Sequence, residues 1–170
     1  MKGFVKVIPY NSEWDDEYIK IREMIEDCIG DLIIAIEHIG STSIKGLASK
    51  PIIDFIIIID SYDVFPQVIQ RLKCIGFEHE GDLGIKDREA FRRSFKDEFM
   101  PYHMYICPKT SNALHEQIAF RNYLRTHVNE AMEYGNLKLN LAKQYPDNIS
   151  KYMEGKDECV KAIIKKMKKK

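Results

Sequence analysis

Few of the features that would place a 170-residue chain in a special class are present. Its four cysteines, Cys28, Cys74, Cys107 and Cys159, stand far apart, with no Cys-x-x-Cys pair and no histidine at zinc-ligand spacing beside them. That excludes a disulfide framework, argues against structural zinc, and leads to the expectation of reduced thiols in a cytoplasmic protein. Charge of one sign is not in excess: 26 Lys and Arg face 26 Asp and Glu. No global field therefore draws in nucleic acid or an anionic membrane, and any phosphate binding must come from local placement. No apolar run approaches the roughly 20 residues that span a bilayer, and Met1-Lys2-Gly3-Phe4-Val5 lacks the apolar core of a signal peptide. Repeats, low-complexity stretches and long linkers are missing too, and the length suits one well-filled core better than two ordinary domains. One-signed charge occurs at the end, in Lys165, Lys166, Lys168, Lys169 and Lys170. It reads as a solvated helix end whose lysines suit the negative end of the helix dipole.

What is there is organised around His38-Ile39-Gly40-Ser41-Thr42-Ser43 and, after a short linker, Lys50-Pro51-Ile52-Ile53-Asp54-Phe55-Ile56-Ile57-Ile58-Ile59. The pattern reads as strand, tight Gly-Ser turn, then a strand apolar on both faces apart from one acid, which suits a strand covered on both sides. Asp54 is then wholly or partly buried, and a lone carboxylate there needs a cation, a metal or hydrogen-bond donors to meet it. Gly40 permits a sharp turn and close approach to a ligand, and Ser41, Thr42 and Ser43 offer hydroxyls and amides that can open a short helix. Such a turn can hold phosphate, although Ser and Thr clusters more often cap helices. With an acid on the next strand, phosphate donors and a metal-binding carboxylate meet at one edge of one sheet.

Five words of the sequence, Glu37-His38-Ile39-Gly40-Ser41-Thr42-Ser43, Lys50-Pro51-Ile52-Ile53-Asp54, Arg88-Glu89-Ala90-Phe91, His103-Met104-Tyr105-Ile106-Cys107 and Phe120-Arg121-Asn122-Tyr123-Leu124-Arg125, resemble the GrpB family, a branch of the nucleotidyltransferase superfamily. They occur in the family's order over nearly the whole chain. The resemblance implies an α/β (α+β) fold, a nucleotidyltransferase-like mixed β-sheet flanked by helices; residues from about 111 to 170 read as a C-terminal helical segment packed on the sheet within a single domain. It assigns the Gly-Ser turn to a triphosphate and acids on the adjoining strand to magnesium. The usual Asp-x-Asp puts two carboxylates on one strand face, within reach of the same pair of metal ions. Here the second position is Ile56. Asp54 alone, with phosphate oxygens and waters, can hold one magnesium, but the two-metal form of transfer is in doubt.

Along the chain, Val5–Ile8 reads as extended. Ser12 is the expected cap of a helix whose Trp14, Tyr18, Ile21, Ile25 and Ile29 recur at helical spacing until Gly30. Leu32 to Ile39 is the first central strand. Asp60-Ser61-Tyr62-Asp63 can cap a helix through Val64, Val68, Ile69 and Leu72 that leaves at Gly76. A further extended piece follows, and then Glu89–Phe95 and Tyr102–Cys107 read as an antiparallel pair at the sheet's other side, joined by Lys96-Asp97-Glu98. From Ser111-Asn112 three helices are expected, the second capped by Asn129 and the third by Asp147 or Asn148.

The candidate site follows from both readings. Asp54 is a catalytic and metal-binding candidate on both; the resemblance adds His103, as a metal ligand or as a general base near neutral pH, where the residues alone read as a hydrogen-bonded strand histidine. Gly40, Ser41, Thr42, Ser43, Lys50 and Arg88 are the phosphate set; arginine can clamp phosphate bidentately. His38, Tyr105 and Arg121 are possible pocket residues, Tyr105 because it is two along from His103 and so shares its strand face. For Asp54 the bland alternative is an ion pair with Lys50 or an arginine, for Ser41 a plain helix cap, and for His38 a histidine at the core's edge.

The leading expectation is a nucleotidyltransferase-like protein that binds a nucleoside triphosphate with magnesium and transfers a nucleotidyl group to a small acceptor. The alternative, favoured by Ile56, is a non-catalytic nucleotide-binding or regulatory module with a degenerate metal site. Family members also occur fused to dephospho-coenzyme A kinase, which implies a nucleotide or coenzyme A context for the ligand.

Overall fold

The computed structural model describes residues 4–169. In chain order it consists of α1 (Glu13–Ile29), β1 (Ala35–Ile39), β2 (Ile53–Ile59), α2 (Phe65–Cys74), β3 (Phe77–Gly81), β4 (Glu89–Arg93), β5 (Tyr102–Pro108), α3 (Asn112–Thr126), α4 (Val128–Gln144) and α5 (Ile149–Met167). The readings that involve Met1, Lys2, Gly3 and Lys170 lie outside the described residues. Among the described residues no helix is long and apolar enough to cross a membrane.

The strands form one mixed sheet in the order β1-β2-β5-β4-β3. β4 and β5 pair antiparallel as the sequence suggests. However, β5 also inserts beside β2, parallel to it, instead of lying at the far side. A parallel neighbour needs a long crossover, and here α2, β3 and β4 supply it. The result is that β2 becomes an interior strand between β1 and β5, and its acid gains a neighbour on each side.

Alternation along β2 divides its side chains between two layers. Ile53, Phe55, Ile57 and Ile59 join Ile21, Ile25 and Ile29 of α1 and Val68 and Leu72 of α2 in the main core. Ile56, with Ile39 and Cys107, packs against Leu114 of α3 on the other face. Each such side chain, removed fully from water, contributes roughly 1.5–3 kcal/mol, so the Ile-rich run anchors both layers at once. A third cluster ties Ile44 and Leu47, beyond the Gly-Ser turn, to Leu124 of α3, Tyr134 of α4 and Ile163 of α5. It holds the helical end of the chain against the turn.

Boundaries differ from expectation where local chemistry has near-equal alternatives. Ser12 holds the N-cap position of α1 as expected but its side chain makes no cap bond; Asn11 Oδ1 accepts from the Glu13 amide instead, at 3.0 Å. A 3₁₀ turn over Gly30–Leu32 lets α1 unwind, so β1 starts at Ala35 and not at Leu32. α4 begins at Val128, directly after α3, with no side-chain cap and with Asn129 inside the helix. Ser111 and Asn148 do cap α3 and α5.

Candidate functional site

β1 ends at Ile39, which is paired with Asp54 of β2, and Asp54 is paired with His103 of β5. Directly opposed residues of neighbouring strands share a face, so the strand end, the acid and the histidine stand in a row. Gly40 then turns the chain with φ +68° and ψ −175°, a conformation open essentially to glycine alone. A Cβ on Gly40 would lie 2.7 Å from Asp54 Oδ2. The bend therefore rests directly against the carboxylate.

His103 Nδ1 lies 2.7 Å from Asp54 Oδ1. An ionised carboxylate can only accept, so Nδ1 carries a proton and donates it to Asp54. The His103 side chain is 53 % exposed and that of Asp54 29 %. Asp54 makes no ion pair with a lysine or an arginine among the described residues. The carboxylate is half-buried and open on one side.

Two cavities meet at this point. One, of about 240 Å³, is lined among others by Ser41, Lys50, Asp54, His103, Lys138 and Lys156. The second, of about 330 Å³, shares Ser41, Asp54 and Lys156 with it and adds Gly40, Phe120 and Tyr134. Small-molecule sites typically span about 300–1,000 Å³ with a few convergent polar groups. The pair of cavities has that size and that character.

The remaining candidates divide. Ser41 Oγ accepts from Lys138 Nζ at 2.7 Å and faces the cleft. Thr42 is fully buried and its hydroxyl meets His38 Nε2 at 2.9 Å. Ser43 donates to the Gly40 carbonyl at 2.6 Å. These two hydroxyls close the turn from within. His38 sits on the opposite face of β1 from the Ile39–Asp54–His103 row, stacked on Tyr18 at 4.4 Å. Burial, reinforced by the charge of Arg125, lowers its imidazole to about 4, so it is neutral. Arg121 is nearly buried and donates to Glu37 Oε2 at 2.6 Å and to the His38 carbonyl at 2.8 Å; it braces α3 to β1. Arg88 lies over the ring of Tyr105, 4.3 Å from its centroid, beyond the residues that line the two cavities.

The donor set suits one magnesium ion and not two. Ile56 occupies the second acid position, and Glu37, its partner across β1, is held by Arg121. Asp82, another acid within the loops, accepts from the Gly84 amide at 2.8 Å. Among the described residues no three His, Cys, Asp or Glu side chains cluster as a metal cage. Asp54 offers a single hard oxygen donor group, which is what magnesium commonly takes from a protein when phosphates complete its shell. A ring nitrogen such as His103 Nε2 is a poor donor for that ion.

Lys138 and Lys156 are cleft residues that the sequence reading did not single out. Lys138 is only 2 % exposed, and it lies on the stripe Ala131, Tyr134, Gly135, Lys138, Leu141, Ala142 that α4 buries. Lys156 stands four residues after the buried Tyr152 and seven before Ile163 on α5. A lysine on the apolar stripe of a helix is the signal that was available. Burial draws the Lys138 ammonium down to about 7, with Lys156 and Lys50 adding to the effect and Asp54 opposing it. Burial lowers Lys156 too, with Lys50 adding to the effect and Asp54 and Asp157 opposing it.

Comparison with known proteins fits this geometry. The family model described as GrpB protein matches residues 4–166. The UPF0157 protein YqkA of Bacillus subtilis is 39 % identical over 160 residues, which are 94 % of this chain and 46 % of YqkA; the chain thus spans about half of that relative's length. The crystal structure of the conserved protein GrpB from Enterococcus faecalis superposes with a TM-score of 0.83 at 32 % identity, covering 95 % of this chain and 96 % of that one. The Cid1 poly(U) polymerase, in complex with the UTP analog UMPNPP, superposes with a TM-score of 0.54 at 15 % identity over 81 % of this chain and 42 % of that one. A MgATP-bound Cid1 gives 0.56 at 14 %, over 81 % and 44 %. Those likenesses establish a nucleotidyltransferase-like fold.

Proposed function

The chain belongs to the GrpB family, and from that premise we propose that its cleft binds a nucleoside triphosphate with magnesium and transfers the nucleotidyl group to a small acceptor. The single observation that carries this reading is that Ser41, Asp54 and three lysines line one cavity. Phosphate donors and a carboxylate thereby converge on the same small volume.

In this reading the phosphate chain lies in the first cavity. The Ser41 hydroxyl and the Lys50, Lys138 and Lys156 ammonium groups orient it. The nucleoside lies in the second cavity, against Phe120 and Tyr134. Asp54 is the residue that would hold one magnesium ion carried in with the nucleotide, and such an ion supplies charge shielding at the phosphates. Asp54 also keeps the proton of His103 on Nδ1, so that Nε2 faces outward as a base. Nε2 takes the proton of the acceptor hydroxyl as its oxygen bonds to the α-phosphorus, and the bond from that phosphorus to pyrophosphate breaks. The Cid1 structures hold a UTP analog and MgATP, which are ligands of the class proposed.

Ile56 favours a second reading, in which the chain keeps the nucleotide but has no turnover and serves as a regulatory module. Incubation with labelled ATP, GTP, CTP and UTP, with magnesium, separates the two. Product formation that is lost in Asp54→Ala and retained in the distant surface variant Lys20→Ala supports transfer. Binding without product supports the module. Absence of binding by all four at millimolar concentration removes both.

A further inference from the structure

Lys50 from the segment ahead of β2, Lys138 from α4 and Lys156 from α5 bring three ammonium groups to the wall of the 240 Å³ cavity. None of them forms an ion pair with a carboxylate among the described residues, although exposed lysines elsewhere do, such as Lys20 with Glu17 at 2.8 Å and Lys166 with Glu130 at 3.2 Å. They rest on aromatic rings instead. Lys138 lies 4.5 Å from the centroid of Tyr134, and Lys50 and Lys156 lie 5.9 and 5.5 Å from that of Tyr152. The one acid on the wall, Asp54, is already bonded to His103.

Like charges that converge in a half-dry cavity repel one another, and a buried ammonium without a counter-ion is costly. A ring face recovers only part of that cost. Packing also leaves these side chains little freedom to escape: Lys138 is almost entirely enclosed, and Tyr152 beneath the other two is buried. An anion placed between the lysines would offset both costs. A polyphosphate has the right sign, several charges and donor-free oxygens for all three.

We infer that the Lys50–Lys138–Lys156 cluster neutralises a polyphosphate by itself, so that the cleft binds this class of ligand without a divalent cation. The inference rests on the nucleotide reading above and refines it: the lysines stand in for the second metal that Ile56 leaves without a ligand. Magnesium, when present, adds to the binding but is not required for it. Inorganic tripolyphosphate is a sufficient ligand, because the recognised part is the phosphate chain.

Calorimetric titration with tripolyphosphate and with ATP, each in excess magnesium and in EDTA, tests this. For the intact chain the dissociation constant in EDTA is expected within about threefold of that in magnesium. Lys156→Met weakens binding in EDTA by about tenfold or more, the scale of one charge-assisted contact of about 1.4 kcal/mol. Lys161→Met, on the exposed side of α5, leaves it unchanged. Lys138→Met behaves as Lys156→Met if circular dichroism shows it folded; if it does not fold, Lys50→Met and Lys156→Met decide. Binding in magnesium that disappears in EDTA overturns the inference and leaves the nucleotide reading intact. Binding in EDTA that is indifferent to the lysine variants also overturns it. No binding of either ligand under either condition removes the nucleotide reading itself, and the inference with it.

Discussion

Replacing Gly40 with alanine tests the contact on which the site geometry depends. The backbone there has φ +68° and ψ −175°, a region that costs a residue with a Cβ about 1–3 kcal/mol. The new methyl would also lie 2.7 Å from Asp54 Oδ2, 3.1 Å from its Cβ and 3.2 Å from its Cγ. Oxygen and carbon do not rest that close, so the carboxylate must rotate away, and its 2.7 Å bond to His103 is lost. A hydrogen bond to a charged group contributes about 1.5–3 kcal/mol. Discounting the bond for the exposure of His103, the two effects together give a loss of about 3 kcal/mol, or about 10 °C in melting temperature for a chain of this size. Thermal unfolding of Gly40→Ala, Asp54→Ala and the double variant measures it. Because Asp54→Ala removes the oxygen and Cγ that the methyl meets, the double variant should be more stable than the sum of the singles by about 1–2 kcal/mol. Strict additivity, or a Gly40→Ala melting within about 2 °C of the parent, would refute the reasoning.

Three further outcomes follow from the same structure. Arg121→Met leaves Glu37 without its partner and the His38 carbonyl without its donor; urea unfolding should show a loss of about 3 kcal/mol, and a loss under about 1 kcal/mol would mean that the pair acts like a surface one. His38 has its pKa lowered to about 4 by burial; between pH 6.5 and 4 the unfolded chain holds the extra proton, so stability falls with the pH by roughly 3 kcal/mol from this group. His38→Gln should flatten that limb, and an unchanged limb would exclude His38 as its source. Lys138, lowered to about 7, carries the same sign in a different window. Between about pH 7 and 8, before the unfolded chain's thiols near 8.5 lose their protons in number, the unfolded chain holds more protons, and stability should rise by at most about 1.4 kcal/mol per unit. Lys50 and Lys156 are the cations that face it and Asp54 the acid. A slope that survives in Lys138→Met would assign the titration elsewhere.

The Gly40–Ser41 bend and Asp54 were legible in the sequence because each departs from its surroundings: a glycine and hydroxyl cluster after a strand, and one acid inside an isoleucine run. The pairing of His103 with Asp54 was only half legible. Strand periodicity placed His103 and Tyr105 on one face, but the parallel insertion of β5 beside β2, which sets His103 against the acid, depends on the order of strands in space. Register decided His38 as well. It adjoins the turn in sequence, yet alternation along β1 carries its ring to the α1 side, where Tyr18 covers it. Arg121 belongs to a family word and nevertheless acts as a brace, because an arginine on a buried helix face must find an acid and Glu37 is within reach. The two lysines were visible as interruptions of apolar stripes in α4 and α5. Their meeting with Lys50 was not, since it is made by three segments far apart in the chain. Whether Asn11 or Ser12 supplies the cap bond of α1 turns on neighbouring residues of similar propensity, where local pattern carries little information.

A crystal structure with a non-hydrolysable nucleoside triphosphate analogue, soaked in the presence of EDTA, is the most direct check on where the ligand sits. Phosphate oxygens are expected within hydrogen-bond distance of Ser41 Oγ and of at least two of Lys50, Lys138 and Lys156, with Asp54 still joined to His103. Phosphates bound elsewhere on the surface, or a cleft that stays empty of them at millimolar ligand, would contradict the account.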